Sequence, residues 1–389
     1  MPDYSIEVLE HPDDWPVAEW NALLQQQALP TPFMRAECLQ ALAGGGAGPE
    51  QGWHARFVLL RRDGALCAAA PAWAKRHSWG EYVFDQAWAQ AYHQHGLPYY
   101  PKLVVAVPFT PVPGSRLLAR EDRDRQALLQ ALEQLARAEG HSGIHLLFGD
   151  ATDQRAAAGA GWLRREGVQF HWTRPEATSA LGWPDFLASL QRDKRKKIQQ
   201  ERRRVAEAGV DWRVLEGGQI TPADWAFFHR CYTATYHAHG QHPYLHEGCF
   251  QRWGRELTAH WLMFVARREG RDIAASLLAI DRAQGLAWGR YWGALEDLPC
   301  LHFEACYYQP LQWCLEQGFQ RFEGGAQGEH KMARGLMPAG TGSAHWVAHP
   351  GFREAISRFV EREGQGMAAY REELDERSPF KAARSGSTD

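Results

Sequence analysis

Short apolar runs separated by polar turns mark the beginning of the chain and predict a mixture of strands and helices. Residues 4–9 favour a strand and residues 15–27 a helix. Apolar residues 53–60 and 65–73 lie on either side of Arg61-Arg62-Asp63-Gly64. Because an Asp-Gly pair suits the tight turn between two antiparallel strands, these two runs predict a β-hairpin.

The same order of elements recurs in the second half of the chain. Apolar residues 260–266 and 272–280 flank Arg267-Arg268-Glu269-Gly270, which repeats the Arg-Arg-acid-Gly turn of the first hairpin. A predicted helix and a short predicted strand then follow in each half: 122–139 and 144–148, and again 302–317 and 319–323. The recurrence indicates an internal duplication, although two short hairpins can also resemble each other by chance.

This order of elements predicts the fold class and the number of domains. Hairpins followed by single helices are typical of an α/β protein of the α+β type, with mostly antiparallel sheets flanked by helices. The length of 389 residues suits two domains. We expect an N-terminal domain at 1–175 and a C-terminal domain at 176–389.

A strongly basic stretch opens the second predicted domain. Residues 183–210 are predicted to form one helix, because Pro184 suits its first turn and Ala208-Gly209 suits its C-terminus. We expect the basic helix at 184–209. Residues 191–204 hold eight basic residues against two acids, a local charge of +6, whereas the whole chain carries −3. Such a stretch is either a solvated helix face or an attraction site for a polyanion such as RNA or a CoA pyrophosphate.

Composition narrows the class of protein. Hydrophobic residues make up 45% of the chain, which is globular, and no apolar run approaches the roughly 18 residues that cross a bilayer. The acidic N-terminus lacks the features of a secretory signal. The seven cysteines are odd in number and include no Cys-x-x-Cys, which argues against a disulfide framework and favours a reducing, cytoplasmic location.

Polar and aromatic residues concentrate between 289 and 338. Gly289-Arg290-Tyr291-Trp292-Gly293 ends a predicted strand, and its glycines allow a ligand to approach closely. On the predicted helix that follows, α-helical spacing places His302, Cys306 and Gln309 on one face. The same spacing places Glu304, Tyr307 and Tyr308 on the neighbouring face. Glu304 could otherwise simply complement the helix dipole.

The segment after residue 321 combines several groups that transfer protons or bind anions. It holds Glu323, Gln327, Glu329, His330, Lys331 and Arg334 among three glycines. His330 could act as a general base near neutral pH, and Glu323 or Glu304 could do so if burial raised its pKa. The alternative is an ordinary polar surface loop.

Other motifs give weaker signals. Four histidines between 237 and 246 lack a recognised zinc spacing, so we expect no metal and interpret them as part of an aromatic cleft wall. Residues 99–114 are rich in Pro and aromatics and could form a rigid groove wall, with Lys102 and Thr110 as its polar candidates; the alternative is a purely structural role. The chain contains no Gly-x-Ser-x-Gly, Walker loop or well-placed Gly-x-Gly-x-x-Gly, which disfavours hydrolase, NTPase and dinucleotide-binding functions.

Four of these segments together resemble a known family. YYPKLVVAVPFTPVPG (99–114), GRYWG (289–293), HFEACYYQ (302–309) and FEGGAQGEHKMARGLMP (322–338) are similar to bacterial FemAB-like proteins, as are the basic stretch and residues 378–381. The resemblance covers essentially the whole chain. It implies two tandem GNAT-like domains and transfer of an acyl or aminoacyl group to an amine acceptor, a small molecule or a peptidoglycan precursor.

The resemblance leaves the donor open. The chain lacks the long helical arm of relatives that use aminoacyl-tRNA. Its Arg321-x-x-Gly324-x-Ala326 matches the pyrophosphate pattern of GNAT acetyltransferases, but residues 327–338 are poor helix formers. We therefore expect either acyl-CoA or aminoacyl-tRNA as donor, and no tightly bound cofactor.

The resulting hypothesis assigns a role to each candidate residue. Glu304 or His330 is the predicted base, Arg290 and Lys331 bind anionic groups, and Tyr291, Tyr307 and Tyr308 position the substrate or protonate the leaving group. The remaining predicted substrate contacts are Trp292, His302, Glu323, Gln327, Arg334 and Lys102. Two alternatives remain open: a non-catalytic protein that binds RNA or an anionic precursor through 191–204, and a metallohydrolase built on the histidines at 237–246.

Overall fold

The computed structural model describes residues 4–11, 14–175, 182–326 and 328–381. Its helices are α1 Val17–Leu24, α2 Ala36–Gly44, α3 Gln86–Gln94, α4 Asp122–Ala138, α5 Ala151–Gly159, α6 Trp183–Ser189, α7 Arg192–Glu207, α8 Pro222–Ala238, α9 Glu247–Glu256, α10 Leu301–Phe303, α11 Gln309–Glu316 and α12 Pro350–Glu376. Its strands are β1 Tyr4–Leu9, β2 Trp53–Ala55, β3 Phe57–Arg62, β4 Ala65–Ala70, β5 Ala72–Lys75, β6 Lys102–Val105, β7 Leu118–Ala119, β8 Gly143–Leu147, β9 Leu163–Thr173, β10 Val210–Glu216, β11 Trp261–Arg268, β12 Arg271–Asp281, β13 Leu286–Ala294, β14 Arg321–Glu323 and β15 Met337–Val347.

The chain forms two compact units whose segments are interleaved along the sequence. Unit 1 consists of Met1–Gly167, Tyr244–Leu257 and Gly340–Ala368, and unit 2 consists of Val168–Pro243, Thr258–Ala339 and Ala369–Asp389. The sequence predicts a single boundary near residue 175. The structure instead changes units after Gly167 and returns two later segments to unit 1, because those segments pair with or pack on its elements.

Unit 1 is built on the first predicted hairpin. β3 and β4 pair antiparallel, with Val58 opposite Ala70, and Asp63 and Gly64 have positive φ in the turn between them. The hairpin belongs to a sheet with the strand order β1-β3-β4-β7. In the other sheet, β8, β6, β5 and β2 are neighbours in that order. Helix α4 covers the strands through Leu128 and Leu132, which lie in the same buried cluster as Leu103 and Ile144. The predicted hairpin is confirmed.

Unit 2 is built on the second predicted hairpin, β11 and β12, which is also confirmed. The strand order is β10-β11-β12-β13-β14-β9, antiparallel except for the pair β13 and β14. That parallel pair is short, running from Leu286 opposite Arg321 to Trp288 opposite Glu323. Beyond Trp288, β13 continues alone against β12 to Ala294. The predicted α/β class with mostly antiparallel sheets is therefore confirmed in both units.

The basic stretch differs from the prediction of one helix at 183–210. The chain is extended at Leu190, where it forms a bridge with Phe380, and the Gln191 N–H donates to Pro379 O at 2.9 Å. These contacts with the C-terminal segment interrupt the helix, because an extended residue cannot continue the helical ladder. The basic helix is therefore α7 alone, and the predicted span of 184–209 is wrong.

Candidate active site

The helix after β13 contains a wide turn that sequence periodicity does not reveal. Residues Glu304–Tyr308, between α10 and α11, form a π-helix in which the Gln309 N–H donates to Glu304 O. Pro310 has no N–H to donate to the Cys306 carbonyl, which favours this wider turn. Side chains five residues apart therefore meet: Gln309 Nε2 donates to Glu304 Oε1 at 2.8 Å. The predicted grouping of Gln309 with His302 and Cys306 is wrong for this reason.

The separation of β13 from β14 creates a fork at which backbone and side chains approach closely. A Cβ atom added at Gly325 would lie 3.7 Å from Gly289 O on β13 and 3.8 Å from Lys331 Nζ. Gly325 also has a φ of +88°, which favours glycine. Lys331 Nζ donates to Gly325 O at 2.9 Å. We define the fork as Gly289–Arg290 and Glu323–Gly325 together with Lys331 and Tyr307. Tyr307 is included because its ring would lie 3.5 Å from a Cβ atom added at Gly324.

Lys331 is a buried ammonium group in this fork. Its side chain is almost fully covered, and burial lowers the pKa of Lys331 to about 8. A lysine with this pKa is mostly charged at neutral pH but releases a proton readily. It can therefore attract an anionic group or return a proton to a leaving group.

A tyrosine and a histidine form the most clearly reactive pair. Tyr307 OH and His330 Nε2 lie 3.2 Å apart, and the His330 ring is exposed whereas Tyr307 is buried. Burial, followed by the nearby Arg334 and Lys331, lowers the pKa of His330, and burial raises the pKa of Tyr307. His330 is therefore neutral at physiological pH and can accept a proton, while Tyr307 keeps its own proton and can donate it.

Arg334 supports this pair from behind. Its Nη1 donates to His330 O at 2.7 Å, and its guanidinium lies 3.5 Å from the centre of the Phe303 ring. Its Nη2 donates to both carboxylate oxygens of Glu201 on α7, at 3.2 and 3.1 Å. Tyr308 OH donates to the same carboxylate. These buried contacts hold the His330 segment against the π-helix and α7.

Glu304 lies in a different environment from His330. Arg202 of α7 donates from Nε to Glu304 Oε1 at 3.0 Å, the same oxygen that accepts from Gln309. Burial raises the pKa of Glu304, opposed by the Arg202 charge and the hydrogen bonds. Its second oxygen, Oε2, is buried and has no hydrogen-bond partner among the described residues. The partners of Glu304 thus come from α7 and α11 and not from the His330 segment.

The end of β13 supplies the predicted cation and aromatics. Arg290 is an extra residue in a β-bulge, since Leu277 pairs with Tyr291 and Leu278 with Gly289. Its guanidinium lies 4.9 Å from the centre of the Tyr291 ring. Further along the strand, the Trp292 ring lies 5.5 Å from the His302 ring, which in turn lies 5.7 Å from the Tyr307 ring. The residue that the bulge adds is thus Arg290, the arginine of the fork.

Glu323 is buried at the base of the fork. Arg321 Nε lies 3.1 Å from its Oε1, and His171 Nε2 lies 3.7 Å from its Oε2. Burial nevertheless raises the pKa of Glu323 to about 7. His171 comes to this position because β9 pairs with β14, with His171 opposite Glu323.

One predicted residue cannot be placed among the described residues, and another lies away from this arrangement. Gln327 lies outside the described residues. Lys102, predicted to contact substrate from a groove wall, is a fully covered residue of unit 1 whose ammonium pairs with Glu81 at 2.7 Å and with Asp85. No atom of its side chain reaches solvent, so direct contact with a ligand is excluded in this conformation.

Sequence reasoning missed three residues that matter in this region. Glu201 and Arg202 appear in the sequence only as charges of the basic stretch, and His171 belongs to no recognised motif. Helical spacing could have found Glu201, because Ile198, Glu201 and Val205 follow the spacing of one buried face of α7. His171 could not be found locally, since only strand pairing brings it to Glu323.

A family model of FemAB-like proteins, described as peptidoglycan biosynthesis/recognition, matches residues 13–382. The chain belongs to the FemAB-like family. This membership confirms the resemblance seen in the sequence. It supports the predicted class of enzyme, an acyltransferase of the FemAB-like type. The acyl donor and the acceptor stay predictions. No curated protein matches the chain.

Solved structures show the same fold at low sequence identity. The crystal structure of FemX is 11% identical, with a TM-score of 0.55 over 90% of this chain and 100% of that one. The structure of L-PGS from Bacillus licheniformis is 14% identical, with a TM-score of 0.55 over 91% and 99%. The C-terminal domain of a putative lysylphosphatidylglycerol synthetase from Agrobacterium fabrum is 11% identical, with a TM-score of 0.51 over 89% and 95%. Among the described residues, no helix is both long and apolar enough to span a bilayer.

Proposed function

We propose that the protein transfers an acyl or aminoacyl group to an amine at the fork of unit 2. The observation that supports this most directly is the Tyr307–His330 pair, 3.2 Å apart, next to the buried ammonium of Lys331. A neutral imidazole can remove a proton from the amine, a phenol can protonate the leaving group and an ammonium can stabilise the oxyanion of an acyl transfer. The FemAB-like membership supports a peptidoglycan precursor as the acceptor.

In the proposed reaction, a neutral amine attacks the carbonyl carbon of the donor. A C–N bond forms, and the C–S bond of a thioester or the C–O bond of an ester breaks. His330 takes one proton from the attacking nitrogen. Tyr307 returns one proton to the departing sulfur or oxygen and is reprotonated through its contact with His330, so that protons balance over the cycle. The Lys331 ammonium stabilises the negative charge that develops on the carbonyl oxygen.

The contacts favour His330 over Glu304 as the base. The Glu304 side chain is almost fully covered, and its hydrogen-bond partners Arg202 and Gln309 belong to α7 and α11, whereas His330 is exposed and can meet an incoming amine. We assign Glu304 a positioning role, in which its bond to Arg202 holds α7 against the π-helix. Neutral His330 also predicts a pH profile in which kcat/KM falls on the acid side at a pH below 6.5, the ordinary histidine value.

The test is a transfer assay with the purified protein, offering acyl-CoA esters and aminoacyl-tRNA in turn with soluble amine-containing peptidoglycan precursors. We expect transfer from one donor class, with losses of about 100-fold or more in kcat for His330→Ala and Tyr307→Phe. Glu304→Gln should alter stability more than kcat. Full activity of both the His330 and Tyr307 variants would refute the assigned chemistry, and no transfer with any donor would refute the function.

A second candidate, binding of RNA or another polyanion without catalysis, is favoured by the outer face of α7. Of its basic residues, Arg192, Lys196, Lys197, Arg203 and Arg204 are exposed. The test is RNA binding as a function of salt for the protein and for Lys196→Gln/Lys197→Gln/Arg203→Gln. Binding that weakens steeply with salt, is lost in the triple variant and accompanies no transfer would support this candidate. Salt-independent binding would refute it.

A further inference from the structure

One loop of unit 1 carries three exposed aromatic side chains. In the segment that joins β5 to α3, the exposed fractions are 68% for Trp79, 38% for Tyr82 and 58% for Phe84. We call residues 76–85 the aromatic loop. Several exposed aromatic side chains in one short segment indicate a surface that binds a ligand, a partner or a membrane. Single exposed apolar residues are common on protein surfaces, whereas groups of them are not.

The conformation of the aromatic loop is held from inside the unit. Lys75 Nζ donates to Trp79 O at 2.9 Å. A Cβ atom added at Gly80, whose φ is +82°, would lie 2.5 Å from the Phe109 ring, so only glycine allows this close approach. Tyr82 has a φ of +59°, which is unusual for a tyrosine. The loop is thus held in a strained shape that leaves its aromatic side chains outside.

The same internal contacts remove negative charge from the surface of the loop. Glu81 and Asp85 are the acids of the aromatic loop, and both are buried against the ammonium of Lys102. The charged residue that stays exposed in the loop is Arg76. The outer surface of the loop is therefore aromatic and weakly basic.

An apolar groove lies next to the aromatic loop. It has a volume of about 440 Å³ between α3 and the first half of α12. Its apolar lining includes Ala87, Trp88, Ala91, Phe352, Ile356 and Phe359. Its polar lining residues are His95, His349 and Arg362, and none of the residues that line it is acidic.

Arg165 connects the aromatic loop to the Arg362 end of this groove. Its Nη1 donates to Phe84 O at 2.7 Å, and its Nε donates at 2.6 Å to Glu363, the residue after Arg362. Its guanidinium also lies 5.3 Å from the centre of the Trp88 ring, which lines the groove. The exposed aromatic side chains of the loop, the apolar groove and Arg362 at its end therefore form one continuous surface.

We propose that this surface docks unit 1 onto an anionic phospholipid bilayer, with one acyl chain entering the groove between α3 and α12. Trp and Tyr side chains suit the headgroup region because they combine an apolar ring with a polar atom. Arg362 and Arg76 match anionic headgroups, and none of the residues that line the groove is acidic.

The test is co-sedimentation of the full-length protein with vesicles of pure phosphatidylglycerol or pure phosphatidylcholine. We expect binding to phosphatidylglycerol at low ionic strength, little binding to phosphatidylcholine, and release at high salt. Trp79→Ser/Phe84→Ser should weaken binding by about tenfold or more, because two large side chains no longer leave water. Ala91→Trp, which fills the groove without changing charge, should also weaken binding. Ile6→Ser, a substitution at a residue of unit 1 that is 49% exposed on β1, should not.

Three outcomes would overturn the proposal. The first is no binding of the natural chain to either vesicle, and the second is equal binding of the double variant. The third is a concentration-dependent dimer that the double variant abolishes while vesicles stay unbound, which would assign the surface to a second copy of the chain. Transfer activity on soluble substrates should be unchanged in the double variant, so the docking proposal and the proposed function can fail separately.

Discussion

Glu323 illustrates how burial changes the pH dependence of a single carboxyl group. The residue is 3% exposed, and burial raises its pKa from 4.5 to about 7. An acid whose pKa rises on folding binds its proton more tightly in the folded state. Its stabilising contribution is therefore complete below pH 4.5 and is lost as the pH rises to about 7.

Glu323→Gln should remove this pH-dependent loss. The free energy of unfolding of the variant, relative to that of the natural chain, should increase between pH 5 and pH 8, by up to about 3 kcal/mol. Thermal or urea unfolding over this pH range measures the difference. Glu207→Gln, at an exposed position of α7, serves as the control and should show no such trend. A difference that stays constant or falls with pH would contradict the assignment.

Arg334 and Glu201 form the buried ion pair that holds the His330 segment in place. Arg334→Met leaves the Glu201 carboxylate buried without its main cation, so we expect a loss of about 3–5 kcal/mol in the free energy of unfolding. Adding Glu201→Gln removes the unpaired charge and should recover part of that loss. A double-mutant cycle by urea unfolding measures the coupling. Strictly additive losses would show that the two groups do not interact in solution.

At the scale of elements, the hairpins and the helix-strand order follow from local pattern, whereas the π-helix does not. Alternating apolar runs and Asp-Gly or Glu-Gly turns specify β3–β4 and β11–β12 without help from the rest of the chain. The grouping of side chains on the helix after β13 fails because it assumes 3.6 residues per turn through Glu304–Tyr308. Pro310 is in the sequence, but a proline equally predicts a kink or a helix start, so the wide turn could not be inferred.

The π-helix makes a specific prediction for Gln309. Its amide donates to Glu304 at a spacing of five residues, so Gln309→Leu should leave Glu304 with Arg202 alone and reduce the free energy of unfolding by about 1–3 kcal/mol. An ordinary α-helix would separate the two side chains, and the substitution would then have little effect. Gln200→Leu, at an exposed position on α7, is the matched control. Equal stability of the two variants would contradict the π-helical pairing.

At the scale of the whole chain, the candidate residues that gather at the fork are close together in the sequence or lie on adjacent strands. Arg290, Glu323 and Lys331 meet because β13 and β14 run side by side for only three residues before they separate. Lys102 fails as a substrate contact because its partners, Glu81 and Asp85, come from a loop whose inward turn leaves no mark in the local sequence. Burial of a lysine depends on such distant partners, which a single sequence does not reveal.

The interleaving of the units leads to a prediction about fragments. A fragment of residues 1–175 corresponds to the N-terminal domain expected from the sequence, but it lacks β15, which pairs with β8 from Ser343 to Val347. It also lacks α9, whose Trp253 is buried and donates to Cys38 O at 3.5 Å. Without these segments an interior strand becomes an edge and part of the apolar core of unit 1 is exposed.

We therefore expect the 1–175 fragment to show no cooperative thermal or urea unfolding, whereas the full chain unfolds cooperatively under the same conditions. Circular dichroism and the dispersion of amide resonances measure the difference. Adding the missing segments through a linker, as 1–167 joined to 340–368 with a separate 244–257 peptide, should restore part of the order, because β15 and α9 then regain their partners. A cooperative transition in the 1–175 fragment alone would show that the two later segments are dispensable and that a continuous domain ending near 175 is the true folding unit.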